Sequence, residues 1–355
     1  MPENTTFFSN KLIPWYLENK RELPWRKTQD PYRVWLSEII LQQTRVAQGL
    51  PYYLAFVDAF PTVFDLAAAP QEKVLKLWQG LGYYSRARNL HASAQYVSET
   101  LNGEFPTTYE GLLQLKGVGD YTASAIASIC FNEAEAVVDG NVYRVLSRVF
   151  GIATPINSTA GKKEFKQLAQ QLIDAEQPGT YNQALMEFGA RYCVPQNPKC
   201  EACILNDGCE AYKKELVSTL PVKLKKNTVR KRYFNYMVVF SEDEKTIINQ
   251  RTGKGIWQQL YEFPLVESKK EVSESELKQL PDFETFSEEM AIDSISLYNE
   301  TSVVHKLSHQ HLFTRFWIVE VSEIKKRGIF FSEIQEYAVP VLIENFISNF
   351  SAFKN

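Results

Sequence analysis

Apolar positions recur at helical spacing, or run on continuously, through the first 220 residues. The stretches "VWLSEIILQQT", "EKVLKLWQGL", "YTASAIASICF" and "VYRVLSRVF" follow this pattern, and Gly, Pro and Asn punctuate the gaps between them. This predicts an almost entirely helical segment. Past residue 232 the texture changes. "YFNYMVVF", "KTIINQR" and "FTRFWIVEV" are short, aromatic and β-branched, which predicts strands. The change falls at residues 223–232, "KLKKNTVRKR", and predicts a domain boundary there. A chain of 355 residues is also too long for one ordinary core.

Composition adds limits. The chain is 45% hydrophobic and 23% charged, as soluble globular proteins are. The opening "MPENTTFFSN" lacks the basic start and apolar run of a signal peptide. No stretch approaches the roughly 20 apolar residues that a membrane span needs. The expectation is a cytoplasmic protein with reduced thiols and no membrane partner. Net charge is −3, so overall charge announces no polyanion. The stretch 223–232 is the local exception, with six basic residues and no acid. It reads equally as a solvated linker or as a phosphate contact.

Four of the five cysteines lie in "CVPQNPKCEACILNDGC", at Cys193, Cys200, Cys203 and Cys209. Reduced thiols argue against a disulfide knot there. Four thiolates can hold zinc or an iron–sulfur cluster. Structural zinc sites usually pair two short knuckles, whereas here one C-x₂-C is flanked by wider gaps, so the spacing favours the cluster and leaves zinc open. Cys130, in an apolar helix, reads as an inert core thiol.

Three further places carry candidate chemistry. In "LKGVGDYTASAIA", Gly117 and Gly119 form a turn feeding a helix start, where backbone N–H groups can meet a phosphate. Asp139 in "VVDGNVYRVLSRVF" reads first as an N-cap, a carboxylate that backbone N–H groups and the helix dipole would keep ionised. Glu38 is embedded among Trp35, Leu36, Ile39, Ile40 and Leu41, where desolvation would keep it protonated near neutral pH. Two carboxyls with opposed environments suit an acid and an anionic stabiliser.

The cysteine spacing, directly after "EFGARY", resembles the 4Fe–4S loop of endonuclease-III-like DNA glycosylases. The glycine turn resembles their helix–hairpin–helix, with Lys116 where that motif usually has proline. "LPWR", "DPYRVWLSEIILQQTRV", "LWQGLGYYSRARNLH" and "VVDGNVYRVLSR" together resemble the MutY-type adenine DNA glycosylases over roughly residues 10–215. "GIWQQLYEFPLVES" is similar to a Nudix segment, but "ESELKQLPDF" cannot supply the acidic helix that pyrophosphate hydrolysis needs.

The resemblance implies a multidomain chain. An all-α helix–hairpin–helix glycosylase with a 4Fe–4S loop would precede an α+β Nudix-like domain. Residues 1–28 and 133–222 would form the iron–sulfur domain and 29–132 the six-helix domain. Residues 223–232 would be a basic linker and 233–355 the 8-oxoguanine recognition domain. The four cysteines would hold a 4Fe–4S cluster. The implied partner is double-stranded DNA with 8-oxoguanine:adenine or guanine:adenine mismatches, bound by a monomer.

The implied roles are as follows. Glu38 protonates N7 of an extruded adenine, Asp139 stabilises the sugar cation and Asn141 orders the site. Arg26 contacts the flipped base, while Gln43, Thr44, Leu81 and Tyr83 fill the gap and touch the base opposite. Gly117 and Gly119 grip the backbone. Tyr121 stands where strand-cutting relatives carry a lysine nucleophile, so the enzyme would be monofunctional. In "HKLSHQH", Leu307 replaces a family phenylalanine, and Ser308 and His309 would read the damaged base. Zinc at these histidines lacks a convincing fourth ligand.

Overall fold

The computed structural model describes residues 4–225, 229–325 and 327–353. It divides into two compact units, Met1–Ala68 with Asn89–Lys225, and Ala69–Arg88 with Lys226–Asn355.

The first unit is helical. It contains α1 (Asn4–Asn19), α2 (Pro31–Leu41), α3 (Val46–Ala59) and α4 (Val63–Ala68). After α5 (Gln71–Leu77) and α6 (Ser85–Thr100), it continues through α7 (Tyr109–Leu112), α8 (Asp120–Phe131) and α9 (Gly140–Phe150). Helices α10 (Thr159–Leu172), α11 (Pro178–Arg191) and α12 (Glu210–Lys213) complete it. Local chemistry sets the boundaries that matter for function. Asp30 caps α2 with Pro31 at its first turn. Asp139 caps α9, and Gly151 ends that helix in the left-handed region at φ 67°. One face of α9 then packs Val142, Val145 and Leu146 against Leu12, Phe165, Tyr181 and Phe188. That core holds the cap and the cysteine loop on a common support.

The second unit is built on a sheet. Strands β1 (Arg230–Ser241) and β8 (Gln310–Val321) run parallel over twelve residue pairs, Arg230↔Gln310 to Ser241↔Val321. Between them in sequence come β2 (Lys245–Ile247), β3 (Asn249–Gln250), β4 (Tyr261–Glu262), β5 (Leu265–Ser268), β6 (Ser294–Leu297) and β7 (Val303–Lys306), and β9 (Gly328–Phe330) follows. The order is β5-β1-β8-β6, with β7 also paired to β8. Met237, Val239, Trp317 and Val319 face Leu277 of α13 (Glu274–Leu277) and Phe283 of α14 (Pro281–Glu288). On the other face, Phe316 stacks on Phe346 of α15 (Val341–Asn349) at 4.2 Å. The segment 69–88 belongs to this unit through specific bonds. Lys76 Nζ donates to the Tyr337 carbonyl at 3.1 Å, Arg88 Nη1 to the Gln258 carbonyl at 2.8 Å, and Val339 N–H to Gln79 at 3.1 Å. Of the basic stretch 223–232, residues 226–228 lie outside the described residues, and Arg230, Lys231 and Arg232 are already strand.

Candidate active site and metal centre

A cavity of about 1040 Å³ in the first unit is lined by Glu38, Tyr121, Asp139, Asn141, Arg26, Gln43, Thr44, Gly117 and Gly119. Nine residues singled out in the sequence thus surround one space. Glu38 is the half-buried polar position on α2, whose neighbours Trp35, Leu36, Ile39 and Ile40 are buried. Burial pushes its carboxyl up to about 7, against a hydrogen bond from Tyr121 and with the Asp139 charge adding to the rise. Burial, and then the charges of Glu38 and Asp139, hold the Tyr121 phenol well above its usual range, so it stays a donor.

Asp139 makes the cap in full. Its Oδ1 accepts from the N–H of Asn141 at 2.8 Å and of Val142 at 2.7 Å, and its Oδ2 accepts from Asn141 Nδ2 at 2.8 Å. The cap alone predicts a lowered pKa. Burial instead raises it, outweighing those bonds and the Arg144 charge. The helix start satisfies the carboxylate without replacing the water it has lost.

Arg26 closes another side. Its guanidinium bonds Glu187 at 2.8 Å and the Arg21 carbonyl at 3.2 Å, and lies 5.5 Å from the centre of the Tyr16 ring. Burial would raise Glu187, yet hydrogen bonds and charge from Arg21 and Arg26 hold it down at about 2. Gly117 has φ 83°, and a Cβ there would meet Asn89 at 2.7 Å, so only glycine fits. Gly119 starts α8 with open space in front of it, leaving room for another backbone. Gln43 is exposed with φ 55°.

In the second unit Leu81 is 6% exposed, whereas Tyr83 is 48% exposed and holds φ 48°. Arg86 lies over the Trp78 and Tyr83 rings. Ser308 and His309 form the exposed tip between β7 and β8. Tyr83 Oη and Ser308 Oγ are 2.6 Å apart, so two residues far apart in sequence meet as one polar pair.

The four cysteines Cys193, Cys200, Cys203 and Cys209 line a second, small cavity with Val149, Phe188, Tyr192 and Leu205. Among the described residues, no three His, Cys, Asp or Glu side chains are grouped as ligands of a single metal ion. Four thiols facing a shared apolar space, with no carboxylate or imidazole among its lining residues, fit an all-sulfur site such as an iron–sulfur cluster. Arg148, 3% exposed, donates to Cys193 Sγ at 3.4 Å and to the carbonyls of Val194 and Pro195.

Arg144 was not singled out in the sequence, yet it joins the two centres. It donates to Asn141 Oδ1 at 2.9 Å, the Gly189 carbonyl at 2.6 Å and the Cys193 carbonyl at 2.8 Å. The available signal was its place four residues before Arg148, on the turn of α9 above the Asp139 cap. Glu187 also escaped notice, although "EFGARY" contains it.

Comparison with known proteins accords with this arrangement. Residues 36–174 match the HhH-GPD superfamily base excision DNA repair protein model, residues 193–209 the iron–sulfur binding domain of endonuclease III, and residues 235–349 the NUDIX domain. The chain therefore has a helix–hairpin–helix glycosylase fold with a 4Fe–4S site, followed by a Nudix-like domain. A solved thermostable thymine-DNA glycosylase superposes with a TM-score of 0.56 at 30% identity, covering 60% of this chain and 98% of that one. An endonuclease III–DNA complex, 22% identical with a TM-score of 0.52 and likewise covering 60% of this chain and 97% of that one, shares the fold. The human adenine DNA glycosylase is 48% identical over 58% of this chain, but the chain spans only 39% of that relative's length. The adenine DNA glycosylase of Buchnera aphidicola subsp. Baizongia pistaciae is 33% identical over 92% of this chain and 89% of its own length. Matched along nearly all of both sequences, with the glycosylase and iron–sulfur models on the unit that holds the carboxyl pair, the chain belongs to the adenine DNA glycosylase family.

Proposed function

We propose that this protein is a base-excision repair enzyme that hydrolyses the N-glycosidic bond of adenine paired with 8-oxoguanine or guanine in duplex DNA. The observation that carries this reading is the carboxyl pair in one cavity, with Glu38 raised to about 7 and Asp139 held by three hydrogen bonds. A flipped adenine entering that cavity would take a proton from Glu38 at N7, which makes it a leaving group. Asp139 lies ready to stabilise the positive charge that develops at C1′, as a carboxylate does in glycoside hydrolysis. Arg26, fixed by Glu187 and Arg21, would recognise the base edge. Gln43, Thr44 and the exposed Tyr83 would fill the gap and touch the base opposite, whereas Leu81, assigned the same role in the sequence, is buried in the fold. The cysteine quartet would hold the 4Fe–4S cluster, whose chemistry here is to fix the loop 193–209. Arg144 and Arg148 bind that loop's backbone.

Tyr121 supports a monofunctional reaction. It is a phenol in the same cavity as Glu38, its hydroxyl 3.5 Å from Met186 Sδ, and it offers no amine for a Schiff base. Borohydride should trap little covalent complex, and abasic product should break only after alkali. Tyr121→Lys should introduce measurable lyase activity. Efficient trapping by the unmodified protein would overturn this part of the reading.

Ser308 and His309 would read the base opposite, because 8-oxoguanine differs from guanine at O8 and N7–H. A good bidentate contact discriminates by about 1–3 kcal/mol. Ser308→Ala with His309→Ala is therefore expected to slow single-turnover cleavage opposite 8-oxoguanine by roughly 10-fold or more, and opposite guanine far less. Equal slowing on both duplexes would remove these residues from lesion reading.

A further inference from the structure

The basic stretch 223–232 is a sequence feature that the proposed chemistry leaves unused, and the sheet register gives its end, Arg230 to Arg232, a place. Arg230 N–H donates to the His309 carbonyl at 3.1 Å, so the stretch ends bonded to the hairpin tip. In the next row Lys231 lies opposite His311, and His311 lies opposite Lys306. Residues directly opposite on adjacent strands share a face, and the strands are about 4.8 Å apart. A row from Lys231 to Lys306 therefore spans about 10 Å. Lys231, Lys306 and Arg230 are all exposed.

Lys231 and Lys306 stand two strands apart with His311 between them, so the row sets two exposed ammonium side chains on one stretch of sheet. The acids on neighbouring segments do not relieve it, since Glu267 pairs with Arg232 and Glu271 with Arg315. One row further along the same face, Tyr233 and Phe313 stack at 5.1 Å, with Lys231 Nζ 5.7 Å from the Phe313 ring centre and Val304 42% exposed beside them. Among the described residues no ion pair to Lys231 or Lys306 is found, and two exposed cations on a firm aromatic base suit an anionic partner.

We propose that the joined ends of β1, β8 and β7 form a ledge, with Lys231 and Lys306 as its main cations, that binds phosphates of the DNA strand carrying the base opposite the adenine. The ledge rests on the reading of Ser308 and His309 as the tip that meets that base. It makes the end of the basic stretch part of the binding surface and not merely a connector. Phosphate contacts set position and affinity without sequence information, which separates their signature from lesion reading.

The test uses the full chain with Lys231→Gln and Lys306→Gln together, and with Lys→Arg at both positions. Binding is measured across a salt series to a matched duplex and to one with 8-oxoguanine opposite cytosine, neither of which offers a mispaired adenine. Each phosphate contact contributes about 0.9 to the slope of log K against log salt. The Gln pair should flatten the slope by about 1.8 on both duplexes. The Arg pair should keep it. An unchanged slope overturns the ledge. So does a loss confined to the 8-oxoguanine duplex, which would put the lysines on a base edge. Failure of the tip reading shows as equal slowing opposite 8-oxoguanine and guanine in the Ser308/His309 variant, and it leaves the salt slope untouched.

Discussion

Glu38→Gln is expected to bind the mismatch normally and to lose roughly 10²–10⁴-fold in single-turnover cleavage, the range that general acid catalysis supplies. The amide has the shape of the protonated carboxyl and cannot give up a proton. In the unmodified enzyme the active form is the protonated one, so the rate should fall as pH rises through about 7. Stability should fall over the same range. The folded chain binds this proton more tightly than the unfolded chain, whose carboxyl titrates near 4.5. The contribution of Glu38 is therefore fully present below about pH 4.5 and lost as pH rises through about 7. A tenfold change in proton affinity is worth about 1.4 kcal/mol, so the whole rise corresponds to roughly 3 kcal/mol. Glutamine escapes that loss. Glu38→Gln should thus be the more stable protein at about pH 8 by up to roughly 3 kcal/mol, with the difference vanishing near pH 4.5. Near-normal cleavage by the variant would remove Glu38 as the proton donor.

Local pattern and short-range chemistry account for what the sequence made legible. "VYRVLSRVF" is helical, the Asp-Gly-Asn before it is a cap, and "FTRFWIVEV" lies in a strand, because each depends on residues a few positions apart. Long-range pairing was not legible. Nothing local says that "RKR" at 230–232 continues a strand, because its partner is β8, some eighty residues later and parallel. The meeting of Tyr83 with Ser308 is hidden for the same reason. The raised pKa of Asp139 was missed on different grounds. A cap motif reports which bonds a carboxylate receives but not how much water it loses, and burial proved the larger effect. Arg144 was passed over because an arginine on an amphipathic helix usually faces solvent. Its acceptors come from α9, α11 and the cysteine loop, which only the packed core brings together.

Asp139→Asn is expected to cut cleavage by at least about 10²-fold, as loss of one preorganised electrostatic stabiliser does, but its effect on stability should oppose that of Glu38→Gln. Asparagine is itself a good N-cap, so the bonds from the Asn141 and Val142 N–H groups can persist. The conflict lies at the other oxygen. Arg144 donates to Asn141 Oδ1, which commits Asn141 Nδ2 to point at Asp139. An amide at 139 that keeps its oxygen on the cap must turn its own NH₂ toward that donor. Two facing donors, partly buried, should cost about 1–3 kcal/mol, offset in part by removing a desolvated charge. A net loss near 1 kcal/mol at about pH 8 is the expected result, read by chemical denaturation. The double variant Asp139→Asn with Asn141→Asp separates charge from geometry. Residue 141 then accepts from both Arg144 and the new amide, so stability should return. The negative charge, however, has moved by two residues. Cleavage should stay low if Asp139 acts by placing that charge under the sugar. Recovery of cleavage in the double variant would show that a carboxylate elsewhere in the site suffices, and the role assigned to Asp139 would fall.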